Sequence, residues 1–371
     1  MQQWSPEKIK AFQTTLLTWY DREKRDLPWR KDHAPYHIWV SEIMLQQTQV
    51  QTVIPYYQRF MATFPTVADL ATAPEGELLK AWAGLGYYSR VRNMQKAAQQ
   101  IMDDYQGDWP QTAAELEKLA GIGPYTAGAI ASIAFNEPVP AVDGNAFRVF
   151  ARLFEIDADI AKPQTRQLFY NVIKEVIATD RPGDFNQAIM DLGSSYMTAK
   201  NPDSAHSPVR DFNQAYLDGK ELDYPVKSKK PRPVPVNYFA LVIKTPTGYL
   251  FEQRPRTGML GELWTVPLLK WSDLAENAAD LLLPDLVTLA TQQFTENTQI
   301  KLALGLLGGR PVTHTFTHQK WLITLLYAEL ATTPELSYFP GKVVAPADFA
   351  TIAQPKVQLK IWQRFEQISE H

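Results

Sequence analysis

A mainly α domain followed by a smaller α+β domain is the fold class predicted by three features of this 371-residue chain. Apolar residues recur at helical spacing through residues 1–225, with Gly and Pro punctuation at Pro55, Pro65, Pro74, Gly107, Pro110, Pro138 and Pro182. Between Pro225 and Pro235 the run Pro-Val-Lys-Ser-Lys-Lys-Pro-Arg-Pro-Val-Pro has no apolar period, and its prolines and like charges favour an extended, solvated connection. Beyond it, Tyr238-Phe-Ala-Leu-Val-Ile-Lys, Gly248-Tyr-Leu-Phe-Glu-Gln-Arg and Trp321-Leu-Ile-Thr-Leu-Leu-Tyr read as strands, while Leu274–Leu283 and Ala347–Glu370 include helix-like stretches. The expected organisation is a helical domain over 1–224, a linker over 225–236 and an α+β domain over 237–371.

Composition narrows the function classes. With 45% hydrophobic and 21% charged residues the chain can build a sizeable core, and no uninterrupted apolar stretch is long enough to span a bilayer. The N-terminus Met-Gln-Gln-Trp-Ser-Pro-Glu-Lys has no basic-then-apolar signal pattern, so the cytoplasm is the expected compartment. Net charge is −3, and acidic residues outnumber basic ones over residues 1–225, so bulk charge does not announce a nucleic-acid binder. There is no cysteine, which excludes disulfides, thiol chemistry and a thiolate-ligated cluster.

Candidate chemistry begins with an internal echo. Ala83-Gly-Leu-Gly-Tyr-Tyr-Ser-Arg is repeated in outline by Ala120-Gly-Ile-Gly-Pro-Tyr-Thr-Ala, each between helical patterns. A Gly-x-Gly turn opening a helix can admit a phosphate to its free N–H groups, or can be a plain corner between two helices. Further on, Val139-Pro-Ala-Val-Asp-Gly-Asn-Ala-Phe-Arg-Val sets Asp143 on a turn before a helix, either as an ordinary Asp-Gly turn or as a positioned carboxylate. On a helix from about Tyr36, Glu42 shares a face with Ile38, Trp39 and Leu45, where desolvation would raise its pKa.

These elements together resemble the helix–hairpin–helix, Gly/Pro-rich, aspartate-containing superfamily of DNA glycosylases. Within it, Arg25-Asp-Leu-Pro-Trp-Arg, Pro35-Tyr-His-Ile-Trp-Val-Ser-Glu-Ile-Met-Leu-Gln-Gln-Thr-Gln-Val, Gly84-Leu-Gly-Tyr-Tyr-Ser-Arg-Val-Arg-Asn and Phe185-Asn-Gln-Ala-Ile-Met-Asp-Leu-Gly resemble the MutY-type adenine DNA glycosylases, which remove adenine mispaired with 8-oxoguanine. The resemblance implies a monomeric base-excision enzyme acting on duplex DNA with 8-oxoguanine:A or G:A mispairs, in a bacterial cytoplasm at the nucleoid. It assigns Glu42 as the acid, Asp143 as the carboxylate beneath the sugar, and Asn145 and Tyr125 as completing the site. Tyr125 stands where bifunctional relatives carry a Schiff-base lysine, so a monofunctional glycosylase is expected.

The same resemblance places Arg25, Leu27, Trp29, Arg30 and Gln187 in the adenine pocket. It places Gln46, Gln47, Thr48, Leu85 and Tyr87 at the intercalating and lesion-contacting positions, and Gly121, Gly123 and Thr126 on the hairpin that grips a DNA strand. Arg90, Arg92, Lys96, Arg148 and Arg152 lie near these motifs and are candidate phosphate contacts. Where the family places four iron–sulfur ligands, this chain has Met197, Ser204, Ser207 and Asn213, so no cluster is expected and the loop is expected to be held by apolar packing through Met197, Val209 and Phe212. No metal is expected; a monovalent cation at the hairpin is the one candidate cofactor.

In the second domain, Arg254-Pro-Arg-Thr-Gly-Met-Leu-Gly-Glu-Leu-Trp-Thr-Val-Pro resembles the family's Nudix-like module, without an Arg-Glu-x-x-Glu-Glu cassette to hold Mg²⁺. Phe316, Thr317 and His318 fall on the loop that inspects 8-oxoguanine, with Thr317 in place of the usual serine. Two alternatives stay open: a related glycosylase for another mismatch, and a non-catalytic protein that binds DNA lesions.

Overall fold

The computed structural model describes residues 4–229 and 231–369, so Lys230 of the expected linker lies outside the described residues, as does Glu370 at the end of the last helix-like stretch. Two compact units result: Met1–Ala73 with Ser89–Lys229, and Pro74–Tyr88 with Lys230–His371. The segment 74–88, read from sequence as part of the helical domain, therefore groups with the second unit.

The first unit is helical. Its longest helix, Pro6–Glu23, starts where Ser5 accepts the Lys8 amide at 3.3 Å and Pro6 supplies a backbone already shaped for a first turn. Its apolar face, with Phe12, Leu16 and Tyr20, joins Phe150, Phe169 and Phe185 in one core. Three further helices carry the blocks singled out above: Pro35–Leu45, Pro124–Phe135 and Gly144–Phe154. A fourth, Pro182–Ser195, crosses the last two so closely that a Cβ at Gly183 would lie 2.7 Å from the Ile133 Cα, and one at Gly193 would lie 2.6 Å from the Asn145 Cβ. Glycine at both ends of this helix lets it seal one side of the cavity described below.

The loop that follows is held differently from the sequence expectation. Met197 and Val209 are buried in the core, and Phe212 packs edge-on against Phe12 at 5.4 Å. The apolar packing is thus present, yet a polar network accompanies it. The Ser204 hydroxyl donates to Glu221 Oε1, and Asn213 Nδ2 donates to the same oxygen at 3.1 Å and to Ser204 Oγ at 3.2 Å. Arg152, fully buried, donates to the carbonyls of Thr198, Glu221 and Tyr224 at 2.9–3.2 Å. A purely apolar loop would have left these buried groups unpaired, which is costly.

The second unit is built on one sheet. β1 (Val234–Thr245) and β7 (Gln319–Glu329) run parallel along their whole length, from Val234 opposite Gln319 to Lys244 opposite Glu329. Antiparallel neighbours flank them: β2 (Gly248–Gln253) and β4 (Leu268–Lys270) on β1, β5 (Gly305–Leu306) and β6 (Val312–Thr315) on β7, and β3 (Trp264–Thr265) and β8 (Gly341–Val344) on β2. Alternation along β1 decides the layers: Tyr238, Ala240 and Val242 face helix Lys356–Ser369 through Val357, Ile361 and Phe365. Phe239, Leu241 and Ile243 face helix Leu283–Thr298 through Leu286, Ala290 and Phe294.

Two expectations change here. β1 begins at Val234, inside the expected linker 225–236, because its first residues pair with β7. The helix-like stretch Leu274–Leu283 is mostly turn; the helix starts at its end, where Pro284 occupies the first turn.

Candidate active site

Helix Pro35–Leu45 buries nearly every residue from Ile38 to Met44, so Glu42 is carried into the interior with only 6% of its surface exposed. It lines a cavity of about 900 Å³ with Tyr125, Asp143 and Asn145. Burial pushes the Glu42 carboxyl up to about 7, and the nearby Asp143 carboxylate pushes the same way. A hydrogen bond received from the Tyr125 hydroxyl and the charge of Arg30 pull against that rise. Burial also keeps Tyr125 protonated, so it is a donor in this pair.

Asp143 is the N-cap of helix Gly144–Phe154. Its Oδ1 accepts the Ala146 amide at 2.7 Å and its Oδ2 accepts from Asn145 Nδ2 at 2.8 Å. Burial raises its pKa, while those donors, and the positive end of the helix, oppose the rise. Two carboxyls thus share one cavity in different surroundings: Glu42 accepts from one hydroxyl, while Asp143 is held by a backbone amide and a side-chain amide. Arg148 fixes Asn145 in turn, donating to its Oδ1 at 2.6 Å and to the carbonyls of Gly193 and Met197 at 2.7 and 2.6 Å.

The same cavity is lined by Arg25, Leu27, Trp29, Arg30 and Gln187. Leu27 and Trp29 are buried, with Trp29 edge-on to Tyr57 at 5.3 Å. Arg25 and Arg30 both bond Asp191: Arg25 Nε at 2.8 Å, Arg30 Nη1 at 2.7 Å and Arg30 Nη2 at 3.0 Å. Gln46, Gln47 and Thr48 form the turn closing helix Pro35–Leu45, with Gln47 at a φ of 62°. They line the same cavity.

The chain matches known proteins over both units. Residues 40–175 match the HhH-GPD superfamily of base excision DNA repair proteins, and residues 238–364 match the NUDIX domain. The adenine DNA glycosylase of Mus musculus is 46% identical over 217 residues, a stretch covering 56% of this chain and 42% of that one. That of Rattus norvegicus is 34% identical over 414 residues, covering 97% of this chain and 78% of that one. The chain belongs to the adenine DNA glycosylase family. Among solved structures, a thermostable thymine-DNA glycosylase is 25% identical with a TM-score of 0.53, covering 57% of this chain and 98% of that one. Endonuclease III in a non-covalent DNA complex, 20% identical with a TM-score of 0.50 and covering 59% of this chain and all of that one, shares the fold.

In this DNA glycosylase of base-excision repair, residues 197–213 fall where the resemblance implies cluster ligands. Met197, Ser204, Ser207 and Asn213 offer no thiolate, and the polar atoms of Ser204 and Asn213 are committed to Glu221. These residues do not fit an iron–sulfur cluster. Among the described residues no group of three or more His, Asp or Glu could hold a metal ion, and no helix is long and apolar enough to cross a membrane.

The remaining expected residues fall in two other places. Gly121 sits at a φ of 75°, where a Cβ would meet the Asn93 Cβ at 2.7 Å; Gly123, the N-cap of helix Pro124–Phe135, has open space. Thr126, expected at the DNA backbone, is 98% buried (2% exposed) in that helix, which removes its side chain from the surface. In the second unit, Phe316, Thr317 and His318 form the tight β6–β7 turn, where the Phe316 ring packs on Trp321 at 4.7 Å. Tyr87, 49% exposed, brings its hydroxyl 3.3 Å from Thr317 Oγ1, and Leu85 near it is buried.

Several expected phosphate contacts turn inward. Arg90 donates to the carbonyls of Ile43 and Gln46 at 2.7 and 2.8 Å, satisfying the end of the Glu42 helix. Arg148 and Arg152 are spent on Asn145 and the 197–224 loop, as above; Lys96 is exposed.

Two residues of the site were passed over in the sequence. Asn186 is buried, accepts the Ala141 amide at 3.1 Å and donates to Ser132 Oγ and the Val139 carbonyl at 2.9 Å, which holds the segment leading into Asp143. Asp191 binds both pocket arginines. The signal for each was a polar residue inside the otherwise apolar block Phe185–Gly193.

Proposed function

We propose that the protein excises adenine mispaired with 8-oxoguanine, and with guanine, from duplex DNA by acid-assisted cleavage of the N-glycosidic bond. The observation that carries this reading is the pairing of a proton-holding acid, Glu42, with a donor-held aspartate, Asp143, on one cavity large enough for a flipped nucleotide. Glu42 gives its proton to a ring nitrogen of adenine, so that the bonding electrons can leave with the base. Asp143 stabilises the oxocarbenium ion left on the sugar. Water adds to that carbon, its proton returns to Glu42, and an abasic site remains.

Tyr125 cannot form a Schiff base, which supports a monofunctional enzyme without lyase activity. Gln46, Gln47 and Thr48 suit a loop that fills the gap left by the flipped base. The N–H groups that open helix Pro124–Phe135, beside the open space at Gly123, suit a DNA phosphate. The Nudix-like unit reads the lesion through Phe316, Thr317, His318 and Tyr87, binding without hydrolysing. The pocket residues Arg25, Leu27, Trp29, Arg30 and Gln187 recognise the adenine.

The test is incubation with duplexes carrying adenine opposite 8-oxoguanine, adenine opposite guanine and thymine opposite guanine, with abasic sites scored by alkali cleavage. Adenine release from the first two that disappears in Glu42→Gln supports the reading. Release of thymine, or tight binding without any release, overturns it.

A further inference from the structure

Asp191 is a buried carboxylate, 4% exposed, whose side-chain partners are Arg25 and Arg30 rather than Glu42 or Asp143. It lies on helix Pro182–Ser195 and is the shared partner of two guanidiniums: Arg25 on one oxygen, and Arg30 spread across both. Arg30 is the better buried of the two, with 11% of its side chain exposed against 39% for Arg25. Two cations on one anion leave this cluster with one net positive charge, and without Asp191 that excess would double beside the cavity that Glu42 lines.

We propose that Asp191 is a positioning residue of the reaction, clamping Arg25 and Arg30 so that their charge does not strip Glu42 of its proton. This rests on Glu42 being the acid. The groups facing Glu42 are Tyr125 from helix Pro124–Phe135, Asp143 from the cap of helix Gly144–Phe154 and Arg30 from the turn Pro28–Arg30. Tyr125 and Arg30 draw the acid toward ionisation; Asp143 and burial hold it protonated. Arg30 is the only cation in that set, and Asp191 is the anion that holds it. The clamp also fixes the direction of both guanidiniums, since carboxylate and guanidinium planes match in bidentate pairing.

The alkaline limb of the single-turnover rate of adenine release separates this role from a merely structural one. Asp191→Asn keeps the shape and removes the charge. An uncompensated neighbouring cation lowers a carboxyl by about one unit or more, so the limb should move to lower pH and the rate at pH 7 should fall about fivefold beyond any change at pH 5.5. Asp191→Glu should return the limb toward the parent position. Arg30→Gln, which removes the cation, should move it the other way even if the overall rate is low, and supplies the answer should Asp191→Asn not fold. Equal loss at every pH in Asp191→Asn, or an unmoved limb in both variants, overturns the proposal. A dead Glu42→Gln with unmoved limbs removes only this inference; a fully active Glu42→Gln removes the assignment of the acid as well.

Discussion

The Tyr125 hydroxyl donates to Glu42 Oε2, a bond that joins helices Pro35–Leu45 and Pro124–Phe135 and opposes the burial that lifts the acid to about 7. With Glu42 as the proposed acid, its protonation sets the working pH range, and the Tyr125 hydrogen bond trims that range downward. In Tyr125→Phe the lowering influence is gone and the acid should hold its proton to higher pH. The expected outcome is a reduced rate with its alkaline limb displaced upward, measured by single-turnover adenine release across pH 5–9. A downward displacement would contradict this role for the hydroxyl.

Glu42 also costs stability, and the sign follows from its raised pKa. The folded state holds the proton more tightly than the unfolded chain, in which the carboxyl titrates near 4.5. Below that value both states are protonated and there is no penalty; the penalty grows as pH rises and is complete above about 7. Glu42→Gln should thus match the parent near pH 4.5 and exceed it by up to about 3 kcal/mol at pH 8. Urea unfolding at the two values gives the comparison, while catalysis in the same variant should fall by roughly 10²-fold or more.

Asn186 makes three buried hydrogen bonds across the approach to Asp143. Asn186→Ala leaves the Ala141 amide and the Val139 carbonyl without this partner and should cost about 2–4 kcal/mol. Because Asp143 follows directly, the rate should also fall at temperatures where the variant remains folded. Loss of stability with an unchanged rate would confine Asn186 to a folding role.

The 197–224 loop should be independent of iron. Asn213→Ala withdraws a donor from both Ser204 and Glu221 and should lower the unfolding temperature markedly, through a loss of about 1–3 kcal/mol. Chelator treatment should leave the parent's melting curve unchanged, and reconstitution with iron and sulfide should add no visible absorbance. Absorbance near the region of a bound cluster would contradict the residue assignment.

Tyr87 and Thr317 touch through their hydroxyls. If the two act together on the lesion, Tyr87→Phe and Thr317→Val should each reduce the preference for adenine opposite 8-oxoguanine over adenine opposite guanine, with a double-variant loss smaller than the sum. Additive losses would mean that the residues act separately.

The residues that line the cavity were legible in the sequence because they fall in contiguous blocks that carry the family resemblance: Glu42 within an apolar helix, Asp143 capping the later helix Gly144–Phe154, Arg25 to Arg30 in one short segment. The expected β1 and β7 were legible from their long β-branched and aromatic runs, and the layers then follow from the alternation of Tyr238 and Phe239. Less could be read where direction matters more than residue type. Arg90, Arg148 and Arg152 have the composition of phosphate ligands, yet each reaches carbonyl or amide oxygens of its own unit. Nothing in a local pattern says which way a long cationic side chain turns.

By itself, then, the sequence determined the helical and α+β halves and the absence of thiolates, since these depend on periodicity and residue chemistry, while Glu42 and Asp143 stood out through the blocks that carry the family resemblance. The tertiary structure decided which polar groups meet: Asp191 with Arg25 and Arg30, Asn186 with the Asp143 segment, Ser204 and Asn213 with Glu221. Those partners lie from 8 to 166 positions apart along the chain. A buried polar group must be paired, but the partner is selected by how helices cross, and only the folded chain supplies that crossing.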